Sequence, residues 1–106
     1  DQFGPVIMFG IGGIMVEVLK DVSFRVLPIS SVSARKMMEE IRSAPILNGV
    51  RGNPPYDKKI LRKLLVMCSE LIESYPEIHE MDLNPIIVYR QGAKVVDARI
   101  LLKDTN

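Results

Sequence analysis

Between the proline pair Pro54-Pro55 and Pro76 the chain carries an apolar stripe that leaves little choice of local structure. Ile60, Leu61, Leu64, Leu65, Cys68, Leu71, Ile72 and Tyr75 recur at intervals of three and four residues. That period gathers them on one side of an α-helix, and the side must be covered by other parts of the chain. Asp57 is a good N-cap after the prolines, and Pro76 cannot continue a helix, so the spacing predicts a helix over Asp57–Tyr75. Cys68 falls on the stripe and reads as a small buried hydrophobe, not a nucleophile.

The neighbouring segments supply partners for it. Pro5 to Phe9 is a short apolar run and reads as a buried strand, broken by Gly10-Ile-Gly-Gly13. Ile14 to Lys20 fits neither the helical nor the strand period and stays open between them. Ser23 to Pro28 alternates Phe24, Val26 and Pro28 against Arg25 and Leu27, the pattern of a strand. Ser30 to Ser43 reads as a second helix, with Ser30, Ser31 and Ser33 as candidate N-caps and Ala34, Met37, Met38 and Ile41 as its apolar face. Asn48-Gly49 and Gly52-Asn-Pro-Pro55 are loop signals. Met81–Tyr89 and Lys94–Leu102 read as two strands of a β-hairpin. The expected class is α+β: mostly antiparallel sheet, packed helices and a C-terminal hairpin, with 1–106 as a single domain.

Composition removes other classes. Hydrophobic residues are 47% and charged residues 25% of the 106 positions, values of an ordinary globular domain and not of a disordered one. No apolar run approaches the roughly 18 residues of a membrane span. A single cysteine can form no internal disulfide, and Asp1-Gln2-Phe3-Gly4-Pro5 does not look like a signal peptide, so a cytoplasmic setting is expected, without membrane attachment. A net charge of +1 argues against nucleic-acid binding, which wants a basic face. The charges are nonetheless segregated: Ser33 to Lys63 holds eight bases and three acids, while Leu64 to Pro85 holds five acids and no lysine or arginine. Either these are solvated helix faces, or a basic patch for a phosphate-bearing ligand lies beside an acidic patch for a cation.

The hairpin is where chemistry-bearing residues meet. A turn centred on Gln91-Gly92 would pair Tyr89 with Lys94, Val88 with Val95, Ile86 with Asp97 and Asn84 with Arg99. Alternation of side chains then puts Asp82, Asn84, Asp97 and Arg99 on one face. Asn84 and Asp97 become diagonal neighbours, about 7–8 Å apart in general sheet geometry. Two side-chain oxygens so placed can share a hard cation, and Mg²⁺ suits them because it takes few protein oxygens and completes its octahedron with water and phosphate. The same pattern also describes a plain polar face on an amphipathic hairpin. Gly10, Gly12 and Gly13 either let backbone approach phosphates or make a tight turn; the spacing is not that of a P-loop. His79, the one histidine, has no local partner pattern and reads as a surface or packing residue.

The order of these motifs is familiar. Phe3-Gly-Pro-Val-Ile-Met-Phe-Gly-Ile-Gly-Gly13 with Val16 to Arg25, then Gly49-Val-Arg-Gly52 before a proline pair, then Met81-Asp-Leu-Asn-Pro-Ile86 and Val96-Asp-Ala-Arg99, together resemble the ATP-grasp domain of ADP-forming acyl-CoA (acetyl-CoA) synthetases. The Asp-x-Asn-Pro strand followed by a later Asp is also similar to the β-subunit of succinyl-CoA synthetase. The resemblance covers nearly the whole chain and implies a partial ATP-grasp fold, the C-terminal portion of that domain.

It further implies a function. Family members interconvert acyl-CoA, ADP and phosphate with free acid, CoA and ATP by way of a phosphohistidine. By position, Asn84 and Asp97 match the Mg²⁺-nucleotide ligands, and Asp82 the carboxylate that stabilises the incoming phosphohistidine or supports the metal. Gly10, Gly12 and Gly13 would shape the phosphate end of an ATP/ADP site. His79 does not match the phosphorylated histidine. The expected partners are the remainder of the ATP-grasp domain and a CoA-binding subunit or domain, and the chain alone is expected to be inactive. Apolar surface around Val6, Met8 and Phe24 is expected to be bare, covered by self-association or by the rest of the parent protein. Two other readings are a ligase-like sensory domain of a fused protein acetyltransferase and a non-catalytic interaction module.

Overall fold

A computed structural model describes residues 4–12, 20–49 and 51–104. Strands β1 (Val6–Gly10) and β2 (Val22–Val26) pair antiparallel. Helix α1 (Ser31–Glu40), a 3₁₀ turn (Ala44–Asn48) and helix α2 (Lys58–Ser74) follow. The chain then runs through β3 (Ile78–Leu83), β4 (Ile86–Val88), β5 (Ala93–Val95) and β6 (Ala98–Leu102), with β3 paired to β6 and β4 to β5, both antiparallel. This is the expected α+β arrangement. The segment 14–19, left open above, lies outside the described residues, as does Gly13.

Both helices begin where their capping residues predict. The Ser30 hydroxyl accepts the Ser33 N–H at 3.1 Å, and the Asp57 carboxylate accepts the Ile60 N–H at 3.1 Å. Each satisfies an amide that has no partner within its helix. Pro45 sits in the first turn of the 3₁₀ segment, where its missing N–H costs nothing. That segment ends at Gly49, whose φ is +89° and where a Cβ would stand 2.2 Å from the Asn53 carbonyl oxygen. Only glycine fits there.

The core lies between the two helices and the inner faces of β1 and β4. Ala34, Met37 and Met38 from α1, Leu61 and Leu65 from α2, and Ile29 and Leu47 from the connections are buried together. Ile7, Phe9, Ile86 and Val88 pack against them. The stripe of α2 is covered along Leu61, Leu65 and Ser69, whereas Leu71 is 36% and Tyr75 50% exposed. The helix packs on α1 as well as on the hairpin, and its C-terminal turns are the less covered. Ser69, not Cys68, is the fully buried residue of that stretch: its hydroxyl accepts the Ile29 N–H at 3.0 Å, while Cys68 is half-buried and burial pushes its thiol pKa up.

The β1–β2 pair faces the core with its less apolar side. Ser23 is buried and its hydroxyl donates to the Met37 carbonyl at 2.9 Å. Val6 lies opposite Val26 and Met8 opposite Phe24, and all four are more than half exposed. The expected bare surface is thus present on the outer face of this pair.

Candidate functional site

The hairpin turn is held from outside the hairpin. Tyr89 N–H donates to the Gly92 carbonyl at 3.0 Å, which makes Arg90 and Gln91 the turn residues, and Gly92 follows them with φ +87°. The residues just before α2 grip this turn. Asp57 N–H donates to the Tyr89 carbonyl at 2.8 Å, the Asp57 carboxylate accepts the Gly92 N–H at 2.7 Å, and the Arg90 guanidinium lies 5.1 Å from the centre of the Tyr56 ring. The Gly92 and Ile60 amides hold the Asp57 carboxyl pKa below its ordinary value.

This turn sets a register two residues away from the one expected. Ile86 faces Val95 instead of Asp97, Val88 faces Ala93 instead of Val95, and Asp82 faces Arg99. The cause is Gly92, which follows the two turn residues in the left-handed region instead of occupying the turn centre. A shift of two preserves which residues share a face within each paired segment, where a shift of one would have inverted them; across the break the inward positions change from Met81 and Leu83 to Ile86 and Val88. Its effect on the candidate residues is to bring them closer. Asn84 N–H donates to the Asp97 carbonyl at 3.0 Å, and Val96 N–H donates to the Pro85 carbonyl at 3.0 Å. Asn84 and Asp97 are therefore directly opposite, not diagonal.

They also stand at a break. Pro85 has no N–H to give to the ladder, and the regular pairing stops at Leu83–Ala98 and resumes at Ile86–Val95. The side chains of Asp82, Asn84 and Asp97 are exposed. Asp82 opens with Glu80 and Arg99 onto a small recess of about 90 Å³. Among the described residues no three His, Cys, Asp or Glu side chains are grouped to hold a metal unaided. One carboxylate and one amide, with the remaining positions left to water and phosphate, is a donor set that Mg²⁺ accepts. The residues present thus fit Mg²⁺.

The expected glycines that are described, Gly10 and Gly12, lie outside the hairpin strands. Gly10 closes β1 opposite Val22. Gly12 has open space where a Cβ would be, so sterics do not demand glycine there. His79 is exposed on β3. The grip of Asp57 on the turn was not legible in the sequence, where Asp57 reads only as a helix cap. The glycine after Arg90-Gln91 was the one signal that could have given the register.

Residues 1–102 match the family described as the ATP-grasp domain. The chain belongs to the ATP-grasp family. It is 54% identical over 105 residues to the β subunit of acetate–CoA ligase [ADP-forming] II of Pyrococcus furiosus, covering 96% of this chain and 44% of that subunit. It is 50% identical over 101 residues to acetate–CoA ligase [ADP-forming] I of Archaeoglobus fulgidus, covering 95% of this chain and 15% of that protein. Its fold superposes with a TM-score of 0.90, at 47% identity, on the acetyl-coenzyme A synthetase 1 of Ca. Korarchaeum cryptofilum in complex with coenzyme A and Mg-AMPPCP, covering 96% of this chain and 48% of that one. In that structure the phosphohistidine segment points towards the nucleotide-binding site. This ATP-grasp chain thus spans less than half the length of the relatives it matches.

Proposed function

We propose that the chain is the nucleotide- and Mg²⁺-binding part of an ADP-forming acyl-CoA ligase, the C-terminal portion of its ATP-grasp domain. The observation that carries the reading is the direct opposition of Asn84 and Asp97 at the break in the hairpin. The side-chain oxygens of these two residues would hold Mg²⁺. When bound, the ion neutralises charge on the nucleotide phosphates. Asp82, two residues before Asn84 on β3, would accept a hydrogen bond from the imidazole that brings the phosphoryl group. A carboxylate there keeps the ring oriented while its P–N bond breaks and the new P–O bond forms on ADP. Gly10, Gly12 and Gly13 would lie along the phosphate end of the site.

Such a site is incomplete by itself. Phosphoryl transfer is catalysed mainly by positioning and electrostatic stabilisation, and two ligands on one hairpin position a nucleotide poorly. The partners in this reading are the remainder of the ATP-grasp domain and a CoA-binding subunit or domain. The exposed quartet Val6, Met8, Phe24 and Val26 is the surface the rest of the subunit would cover. A cytoplasmic setting belongs to the same reading, supported by the lone cysteine.

The test is calorimetric titration of the complete protein with Mg-ADP. Asp97→Ala is expected to remove binding while circular dichroism and melting temperature stay unchanged. Unaltered Mg-ADP affinity in a folded Asp97→Ala protein would overturn the assignment.

A further inference from the structure

The basic segment of the sequence finds no use in the hairpin site. The fold gathers four of its bases, Arg35 from α1 and Lys58, Lys59 and Arg62 from α2, around one recess of about 310 Å³. That volume lies at the lower end of the range for small-molecule pockets, about 300–1,000 Å³. The recess also has an apolar wall: Met38 and Leu47, 4% and 5% exposed, line it. Among the described residues the ion pair present is Arg25–Glu40, on the other edge of α1. The four bases that border the recess are thus without a carboxylate in salt-bridge contact among the described residues. Glu39 is the single acid in the lining. Lys58 Nζ donates to the Asn48 side-chain carbonyl, which fixes one ammonium at the wall.

We propose that this recess is an anion site for a small molecule carrying several phosphate charges. Like charges around a concavity raise its positive potential more than the same charges on a convex face, and a bound anion relieves their repulsion. Two guanidinium groups and two ammonium groups match a chain of phosphates better than a single monoanion. The arginines offer planar pairs of donors, and the lysines supply charge. The apolar wall accommodates the uncharged body of such a ligand. No residue of the recess belongs to the hairpin, so the site does not depend on the Mg²⁺ reading.

The experiment is calorimetric titration of the complete protein with inorganic tripolyphosphate in metal-free buffer. Saturable binding is expected. Arg35→Gln with Arg62→Gln should weaken it by about tenfold or more, the scale of losing two charge-assisted contacts. Glu39→Gln should tighten it, because one repulsive charge leaves the wall. Asp97→Ala should leave it unchanged, which separates this site from the nucleotide reading. Melting curves show that the variants remain folded. The proposal is overturned by absence of binding, by equal affinity in the double arginine variant, or by loss of binding in Asp97→Ala. Binding of a glutamate-rich peptide in place of tripolyphosphate would assign the surface to a protein partner and overturn it too.

Discussion

The carboxylate of Asp57 accepts the Gly92 N–H at 2.7 Å with one oxygen and the Ile60 N–H at 3.1 Å with the other. One side chain thus caps helix α2 and fixes the hairpin turn, thirty-five residues further along. Asp57→Ala removes both acceptors at once. Loss of an interaction of helix-cap strength lowers the melting temperature of a domain this size by about 4–8 °C, and the Gly92 amide should lose protection from hydrogen exchange. Asp57→Asn retains one carbonyl acceptor and should fall between the two. An Asp57→Ala protein with the parent melting temperature and a protected Gly92 amide would contradict this account.

Asp21 makes a second such link and gives it a pH dependence. Its buried carboxylate accepts the Ser43 hydroxyl at 2.5 Å, the Arg42 N–H at 2.6 Å and the Ser43 N–H at 2.8 Å. The Ser43 hydroxyl is the largest cause holding its pKa below the ordinary value of 3.8, with the two amides adding to it against burial. A depressed carboxyl pKa contributes stability that is present above the unfolded value and is lost as pH falls through the folded one. Ser43→Ala should therefore be destabilised at neutral pH, and the gap to the parent should narrow as pH drops below 3.8. Melting temperatures measured from neutral to strongly acidic pH test this. A gap that stays constant with pH would mean that the hydroxyl acts through packing alone.

The buried line of α2 makes a further comparison possible. Ser69 is 1% exposed and accepts the Ile29 N–H. Ser69→Ala keeps the volume nearly the same but leaves that amide buried without a partner, a cost of about 1–3 kcal/mol. Cys68→Ala, one residue earlier, removes a half-buried sulfur that no hydrogen bond depends on. Urea unfolding should rank Ser69→Ala as the more damaging of the two. The reverse order would show that the stripe buries the cysteine side of the helix.

These residues also mark what the sequence could carry. The starts of both helices and the end of α2 were legible because caps and prolines act locally: Ser30, Asp57 and Pro76 need no tertiary partner to start or stop a helix, whereas α1 ends at Glu40, three residues before the expected Ser43. The apolar face of α1 was legible because Ala34, Met37, Met38 and Ile41 repeat with the helical period, and all four are buried. Ser69 was not, since a serine goes inside only where a distant amide such as Ile29 N–H requires it. Nor could alternation in β2 say which face turns inward. Ser23 does so because the Met37 carbonyl lies there, and Phe24 and Val26 turn outward. At the candidate site the residue types were legible, and period two supplied the expectation of a common face. The register was not, because it depends on Gly92 and on the grip of Asp57.

The corrected register carries the last prediction. A diagonal placement would leave both side chains to reach towards a shared ion across about 7–8 Å. With Asn84 N–H bound to the Asp97 carbonyl at 3.0 Å, the two residues face each other across the break, and the proposed site has both serve one ion. Groups that act as a unit give strongly non-additive losses. In the complete protein, Asn84→Ala should weaken Mg-ADP by about tenfold or more, and Asp97→Ala should weaken it further. The double variant should be no worse than Asp97→Ala alone, because removal of the carboxylate already empties the site that the amide serves. Titration of all four proteins with Mn²⁺ in place of Mg²⁺, followed by electron paramagnetic resonance of the free ion, measures the coupling directly. Additive losses would place the two side chains on different parts of the ligand and would sink the single-ion site.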